Sequence, residues 1–191
     1  MIKLINSPDE STPSGLEEKA VLRLLYATGM RVSELCNIRY SDINFQDRTI
    51  RVQGKGRKER LTIFDCETGR LLEKYVAQTA EGKARSCYLF HNMETGKKIT
   101  PFQIVKIVKI HSQKNHLHIT PHIIRHCFAS HMYESGASLQ MIQRLLGHSS
   151  LQTTDIYIQV SSDFIEEQYR KAMKNTRRKR QRRSYCTPQK T

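Results

Sequence analysis

The sequence predicts an α+β fold, mainly α-helical, with a small antiparallel β-sheet in its N-terminal third. Three observations predict it. Apolar residues recur at helical spacing in several separate stretches. Two alternating stretches flank Gly54-Lys55-Gly56, the pattern of a hairpin. Thr100-Pro101 and Thr120-Pro121 each place a capping residue before a proline, which suits the first position of a helix. With 191 residues, 38% of them hydrophobic, the chain has enough apolar side chains for one sizeable core.

Residues 1–13 contain Ser7-Pro8-Asp9-Glu10-Ser11-Thr12-Pro13, with little to bury and two prolines, and are expected to form a flexible arm. The main domain should cover 14–173. Ser14 is the candidate N-cap of a helix in which Leu16, Ala20, Val21, Leu24 and Leu25 share a face, and Gly29 is placed to end it. A short helix over about Arg31 to Ile38 follows. Arg48 to Gln53 alternates Ile50 and Val52 with Arg51 and Gln53, and Lys58 to Ile63 alternates through Leu61 and Ile63, giving a hairpin with a cationic tip. Helical spacing returns at about 66–78, and a short strand is expected at Cys87 to Phe90 before the turn at Gly96. The helix opened by Pro121 should bury Ile124, Phe128 and Met132 and stop by Gly136. Ser138 caps another helix, running to Leu146 and ending at Gly147. Two more helices are expected, one holding Tyr157 and one near Asp163 to Met173.

The formal net charge is +14, from 32 Lys and Arg against 18 Asp and Glu, which favours a polyanionic partner. Its distribution is uneven. Ten cations and no acid lie between Arg170 and Thr191, so residues 1–169 carry only +4. Residues 174–191 are accordingly expected to be a basic, disordered tail. The five cysteines are scattered, with no Cys-x-x-Cys pair, which fits reduced thiols in the cytoplasm. No apolar run approaches the ~20 residues of a membrane span, and no export signal opens the chain.

Arg31, Lys55, His122 with Arg125, His148 and Tyr157 each sit at a predicted helix end, a turn tip or beside a short apolar run. Singly, each reads as well as a surface cation, a hairpin tip, a helix exit or a core tyrosine. His122 and Arg125 are three apart and share a face of one helix.

In this order the segments resemble the tyrosine recombinase (integrase) family, most closely its bacterial Xer-like branch. Gly29-Met30-Arg31-Val32-Ser33-Glu34-Leu35 is similar to the family's first arginine motif, and Gly54-Lys55-Gly56-Arg57-Lys58-Glu59-Arg60 to its lysine-bearing hairpin. Thr120-Pro121-His122-Ile123-Ile124-Arg125-His126 resembles the His-x-x-Arg motif. Leu145-Leu146-Gly147-His148-Ser149 and Thr153-Thr154-Asp155-Ile156-Tyr157 resemble the segment holding the last histidine and the nucleophile. The resemblance spans roughly Leu16 to Lys171.

The resemblance implies a catalytic domain over 14–173 that cleaves and rejoins DNA through a 3′-phosphotyrosine link, with no cofactor, metal or ATP. Tyr157 is then the nucleophile. Planar guanidinium groups suit two non-bridging phosphate oxygens at once, which points to Arg31 and Arg125, with His148 adding a hydrogen bond. A phenol of pKa about 10 needs a base at neutral pH, a role for His122, and Lys55 is the acid for the leaving 5′ oxygen. Glu34 either steadies the Arg31 guanidinium or is an exposed helix carboxylate. Arg57, Lys58 and Arg60 of the hairpin and Arg177, Arg178 and Arg180 of the tail are candidate DNA contacts.

The implied partners are double-stranded DNA at a recombination site, further copies of the chain up to a tetramer on DNA, and a second recombinase or accessory protein, with no membrane. The family's separate N-terminal helical domain is expected to be absent, since so few residues precede the first helix. After the tyrosine, Ile158-Gln159-Val160 departs from the family's usual residues.

Other readings are weaker. His118, His122 and His126 recur at zinc-ligand spacing, but Pro121 leaves His118 outside the helix and no acid stands beside the first histidine. A DNA-binding regulator without chemistry would lack a catalytic residue, and none is missing. A type IB topoisomerase shares the nucleophile logic without the Xer-like wording of the motifs.

Overall fold

A computed structural model describes residues 1–54, 59–80, 86–92 and 95–147 of the chain. They fold as α1 (Ile2–Ile5), α2 (Pro13–Thr28), α3 (Val32–Leu35), β1 (Ile43–Asn44), β2 (Thr49–Gln53), β3 (Glu59–Ile63), α4 (Cys66–Ala80), α5 (Pro101–Lys114), α6 (Pro121–Glu134) and α7 (Leu139–Leu146). The predicted class, mainly helical with one small antiparallel sheet, is what is observed. The chain divides into two compact units, Met1–Phe128 and Ala129–Thr191. No helix among the described residues is long and apolar enough to cross a membrane.

The first unit is built around α2. Its Leu16, Ala20, Val21, Leu22, Leu24 and Leu25 are all buried, and a helix apolar on most of its surface belongs in a core. The N-cap is Thr12, whose hydroxyl accepts from the Gly15 amide at 3.1 Å, and not the expected Ser14. Pro13 therefore takes the first helical position, where a missing N–H costs nothing. Gly29 ends the helix in the left-handed region, φ 61°.

Residues 1–13 differ from the expected arm with little to bury. They carry α1, and Leu4 and Ile5 join the core. Two contacts explain the docking. A Cβ on Gly15 would collide with the Asp9 carbonyl, so glycine lets the segment lie on the first turn of α2. His111 of α5 then bridges Ser7 Oγ at 2.9 Å and Glu18 Oε2 of α2 at 2.8 Å.

The sheet has the order β1-β2-β3, all antiparallel, with Ile50 opposite Thr62 and Val52 opposite Arg60. Residues facing one another across an antiparallel pair share a face. Because Ile50 and Val52 point into the core, Thr62 and Arg60 must turn the same way, while Leu61 is 56% exposed. Arg60 is thus the inward-facing residue and Leu61 the outward one. Residues 55–58, between β2 and β3, lie outside the described residues.

Arg23 of α2 anchors α4: it donates to Asp65 Oδ2 at 2.8 Å and to Thr68 Oγ1 at 3.0 Å, while Asp65 accepts from the Thr68 amide. The strand expected at Cys87 to Phe90 is reduced to single bridges, Arg39 with Tyr88 and His91 with Lys98. Both Thr-Pro helix starts are observed. Thr100 caps α5 with Gln103 reaching back to its amide, a capping box, and α6 begins at Pro121 and buries Ile124, Phe128 and Met132.

In the second unit, Ser138 caps α7 through the Met141 amide and Gly147 ends it at φ 64°, as predicted. Met141, Ile142, Leu145 and Leu146 form its buried face. The helices expected around Tyr157 and from Asp163 to Met173 lie outside the described residues.

Candidate active site

The turn after α2 sets the first functional side chain. Gly29 bends the chain, Met30 is fully buried, and Arg31 becomes the extended residue that caps α3. Glu34 is the third residue of α3, and its Oε2 accepts the Arg31 backbone N–H at 2.7 Å. An acidic side chain at this position satisfies an amide that the helix leaves without a partner.

The same carboxylate holds two guanidinium groups. Arg31 Nη1 donates to Glu34 Oε1 at 3.1 Å, and Arg60 donates through Nη1 to Oε1 at 2.8 Å and through Nη2 to Oε2 at 2.9 Å. Glu34 is buried, so the exposed-carboxylate alternative does not hold: it sits 5% exposed between two arginines. Burial works to raise its pKa, but the Arg60 bonds, the Arg31 amide and both positive charges hold it below the usual carboxylate value.

Arg125, one turn into α6, reaches the same place. Its Nη1 donates to the Gly29 carbonyl oxygen at 2.6 Å. Burial and the neighbouring Arg31 charge, with Arg60 adding to them and Glu34 opposing, push its pKa down to about 10. It stays cationic at neutral pH. Among the described residues the Glu34 carboxylate thus stands with the guanidinium groups of Arg31, Arg60 and Arg125, a positive arrangement that suits a phosphate. Arg31 is the exposed member, with 46% of its side chain open to solvent.

His122 is exposed in the first turn of α6, one helical turn before Arg125. Of the sequence-predicted site residues, the structure brings Arg31, Glu34, Arg60 and Arg125 into one cluster and places His122 on the helix that delivers Arg125. Arg60, expected as a DNA contact, has its guanidinium on Glu34. Lys55, Arg57, Lys58, His148, Tyr157, Arg177, Arg178 and Arg180 lie outside the described residues. Sequence reasoning missed the Arg60–Glu34 pair. The sequence carries no local signal for it: Arg60 turns inward because the register of β2 on β3 sets it opposite Val52.

A sequence model of the phage integrase family matches residues 1–163. The tyrosine recombinase XerC of Pelobacter propionicus is 41% identical over 171 residues, covering 88% of this chain and 56% of its own length. Among solved structures, the crystal structure of XerA recombinase superposes with a TM-score of 0.70 at 29% identity, covering 88% of this chain and 61% of that one. XerH site-specific recombinase, bound to difH substrate in a pre-cleavage complex, gives a TM-score of 0.68 at 22% identity over 88% of this chain and 47% of that one. The chain spans a little over half the length of the curated relative.

Proposed function

The chain belongs to the phage integrase family, and on that premise we propose that it is the catalytic part of a site-specific DNA recombinase acting through a covalent 3′-phosphotyrosine intermediate. The observation that carries this reading is the cluster, among the described residues, of Arg31, Arg60 and Arg125 with the carboxylate of Glu34. It offers a positive site in which Arg31 is the most exposed member, and it draws on three motifs: the first arginine motif, the hairpin and the His-x-x-Arg helix.

In the proposed step the Tyr157 oxygen attacks phosphorus, forming a P–O bond to tyrosine while the bond to the 5′ oxygen breaks. His122 takes the phenol proton and Lys55 supplies one to the leaving oxygen. Arg31 and Arg125 bear the charge that grows on the non-bridging oxygens, and His148 adds a hydrogen bond there. A 5′ hydroxyl from another strand reverses the step, so the balance needs no ATP, metal or water.

Double-stranded DNA at a recombination site is the proposed substrate, with Arg57, Lys58, Arg177, Arg178 and Arg180 as contacts to its backbone. Assembly on DNA up to a tetramer, pairing with a second recombinase and a cytoplasmic location are part of the same reading. The test is adduct capture. Incubation with nicked DNA carrying candidate sites should leave a protein–DNA adduct after denaturation, and Tyr157→Phe should bind that DNA and form none. An adduct that persists in the Phe variant removes Tyr157 from the role.

A further inference from the structure

Arg60 sits where a DNA-gripping cation would not be placed. It lies opposite Val52 on the core-facing side of the hairpin, and its side chain is 13% exposed. Both terminal nitrogens are engaged with the two oxygens of Glu34, at 2.8 and 2.9 Å. Such a parallel pair fixes the planes of both groups. Glu34 also accepts from the Arg31 amide at 2.7 Å and from Arg31 Nη1 at 3.1 Å. Four donors fill the acceptor capacity of a carboxylate.

The consequence falls on Arg31. A buried anion takes the best cation within reach, because leaving it without one is strongly destabilising. Arg60 supplies that cation from β3, 26 residues away in sequence. Arg31, three residues from Glu34 on α3, would otherwise supply it. With Arg60 in place, Arg31 makes the longest of the four bonds and keeps almost half its side chain in solvent.

We propose that Arg60 is a positioning residue of the phosphate site: by occupying both oxygens of Glu34 it prevents Arg31 from folding into a two-point pair with that carboxylate and keeps the Arg31 guanidinium presented to a phosphodiester oxygen. The proposal rests on the strand-cleavage reading above. It adds that the hairpin and the first arginine motif are joined through a carboxylate, so that β3 sets the orientation of Arg31. Lysine cannot replace Arg60 fully, since one ammonium does not span two oxygens.

Three variants of the full chain test this: Arg60→Met, Arg60→Lys and the pair Arg60→Met with Glu34→Gln. In Arg60→Met, single-turnover cleavage of saturating nicked DNA is expected to fall about 10- to 100-fold. Arg60→Lys should lie between. In the double variant the charge that captures Arg31 is gone, and most of the lost rate should return. The Glu34→Gln change also removes the uncompensated buried charge, so the double variant stays informative if Arg60→Met folds poorly. A double variant no faster than Arg60→Met is the mark of a direct phosphate contact by Arg60 itself and overturns the proposal.

A DNA-free arm separates this claim from the cleavage reading. Titration with inorganic phosphate, followed through the ¹⁵N-labelled Arg31 Nε–H resonance, should show about 10-fold weaker binding in Arg60→Met and recovery in the double variant. A chain that forms no adduct on any DNA defeats the recombinase reading, and the phosphate titration then decides the positioning claim alone. Equal phosphate affinity in the wild type and Arg60→Met overturns it.

Discussion

Arg125 donates to the carbonyl oxygen of Gly29 across 2.6 Å, so that the helix carrying His122 is tied to the residue that ends α2, two positions before Arg31. The bond brings two guanidinium groups to one place although like charges repel. The cost is visible in Arg125, whose pKa is pushed down to about 10 by burial and by Arg31. An arginine tolerates this and remains charged.

A lysine would not, and Arg125→Lys is predicted to convert a pH-independent role into a pH-dependent one. The same burial and repulsion acting on an ammonium of reference pKa about 10.4 would lower its pKa toward the neutral range. Residual cleavage should therefore fall as pH rises through that range, whereas wild-type cleavage keeps its Arg125 charge there. Rate profiles of both proteins between pH 6 and 9 check this. Parallel profiles would mean that the site does not depress the charge of a residue at 125.

Glu17 should make the fold less stable as pH rises. Burial and the adjacent Glu18 raise its pKa from 4.5 to about 7. The folded chain thus holds a proton that the unfolded chain releases between these values, and stability declines across that window as pH increases. Glu17→Gln removes the penalty. Its melting temperature should exceed that of the wild type clearly at pH 8 and hardly at pH 4.5, by calorimetry at both. The same gain at both values would place the carboxylate in solvent.

What could be read in advance was local. Thr100, Thr120 and Ser138 announce helices because a hydroxyl at the N-cap bonds an amide two or three residues on, all within one stretch of sequence. The Arg31–Glu34 contact was legible for the same reason, being three residues apart on one helix. Arg60 was not, because its partner is chosen by the register of β2 on β3 and by how α3 packs beside the sheet. Leu4 and Ile5 escaped likewise: a short apolar pair gives no periodicity, and its burial depends on the bare surface that Gly15 provides on α2. In both cases the missing information was tertiary.

Lys55→Ala should slow cleavage of ordinary DNA far more than cleavage of a substrate whose bridging 5′ oxygen is replaced by sulfur. A thiolate leaves without a proton, so selective rescue identifies a general acid. Single-turnover rates on the two substrates are the measurement. Equal losses would move the acid to Lys58 or Arg57, or leave Lys55 as a phosphate contact only. Alanine at Arg31 should show no rescue, since its proposed work is on the non-bridging oxygens.

The basic tail should separate binding from chemistry. Residues 1–169 carry only +4, and the arginines of the site are partly spent on Glu34, whereas ten cations follow Tyr169 with no acid among them. Each phosphate neutralised contributes about −0.9 to the slope of log K against log salt. If about five tail cations engage DNA, removing residues 174–191 flattens that slope by about 4. Cleavage of saturated substrate should hardly change, because the site residues proposed for chemistry all precede the deletion. Affinities at several salt concentrations and single-turnover rates for the intact and shortened chains give both quantities. A slope that does not move would make the tail a spectator. The weakly charged body would then hold its site only with a clamp supplied by another chain, and DNA binding by the isolated protein should be weak at any length of tail.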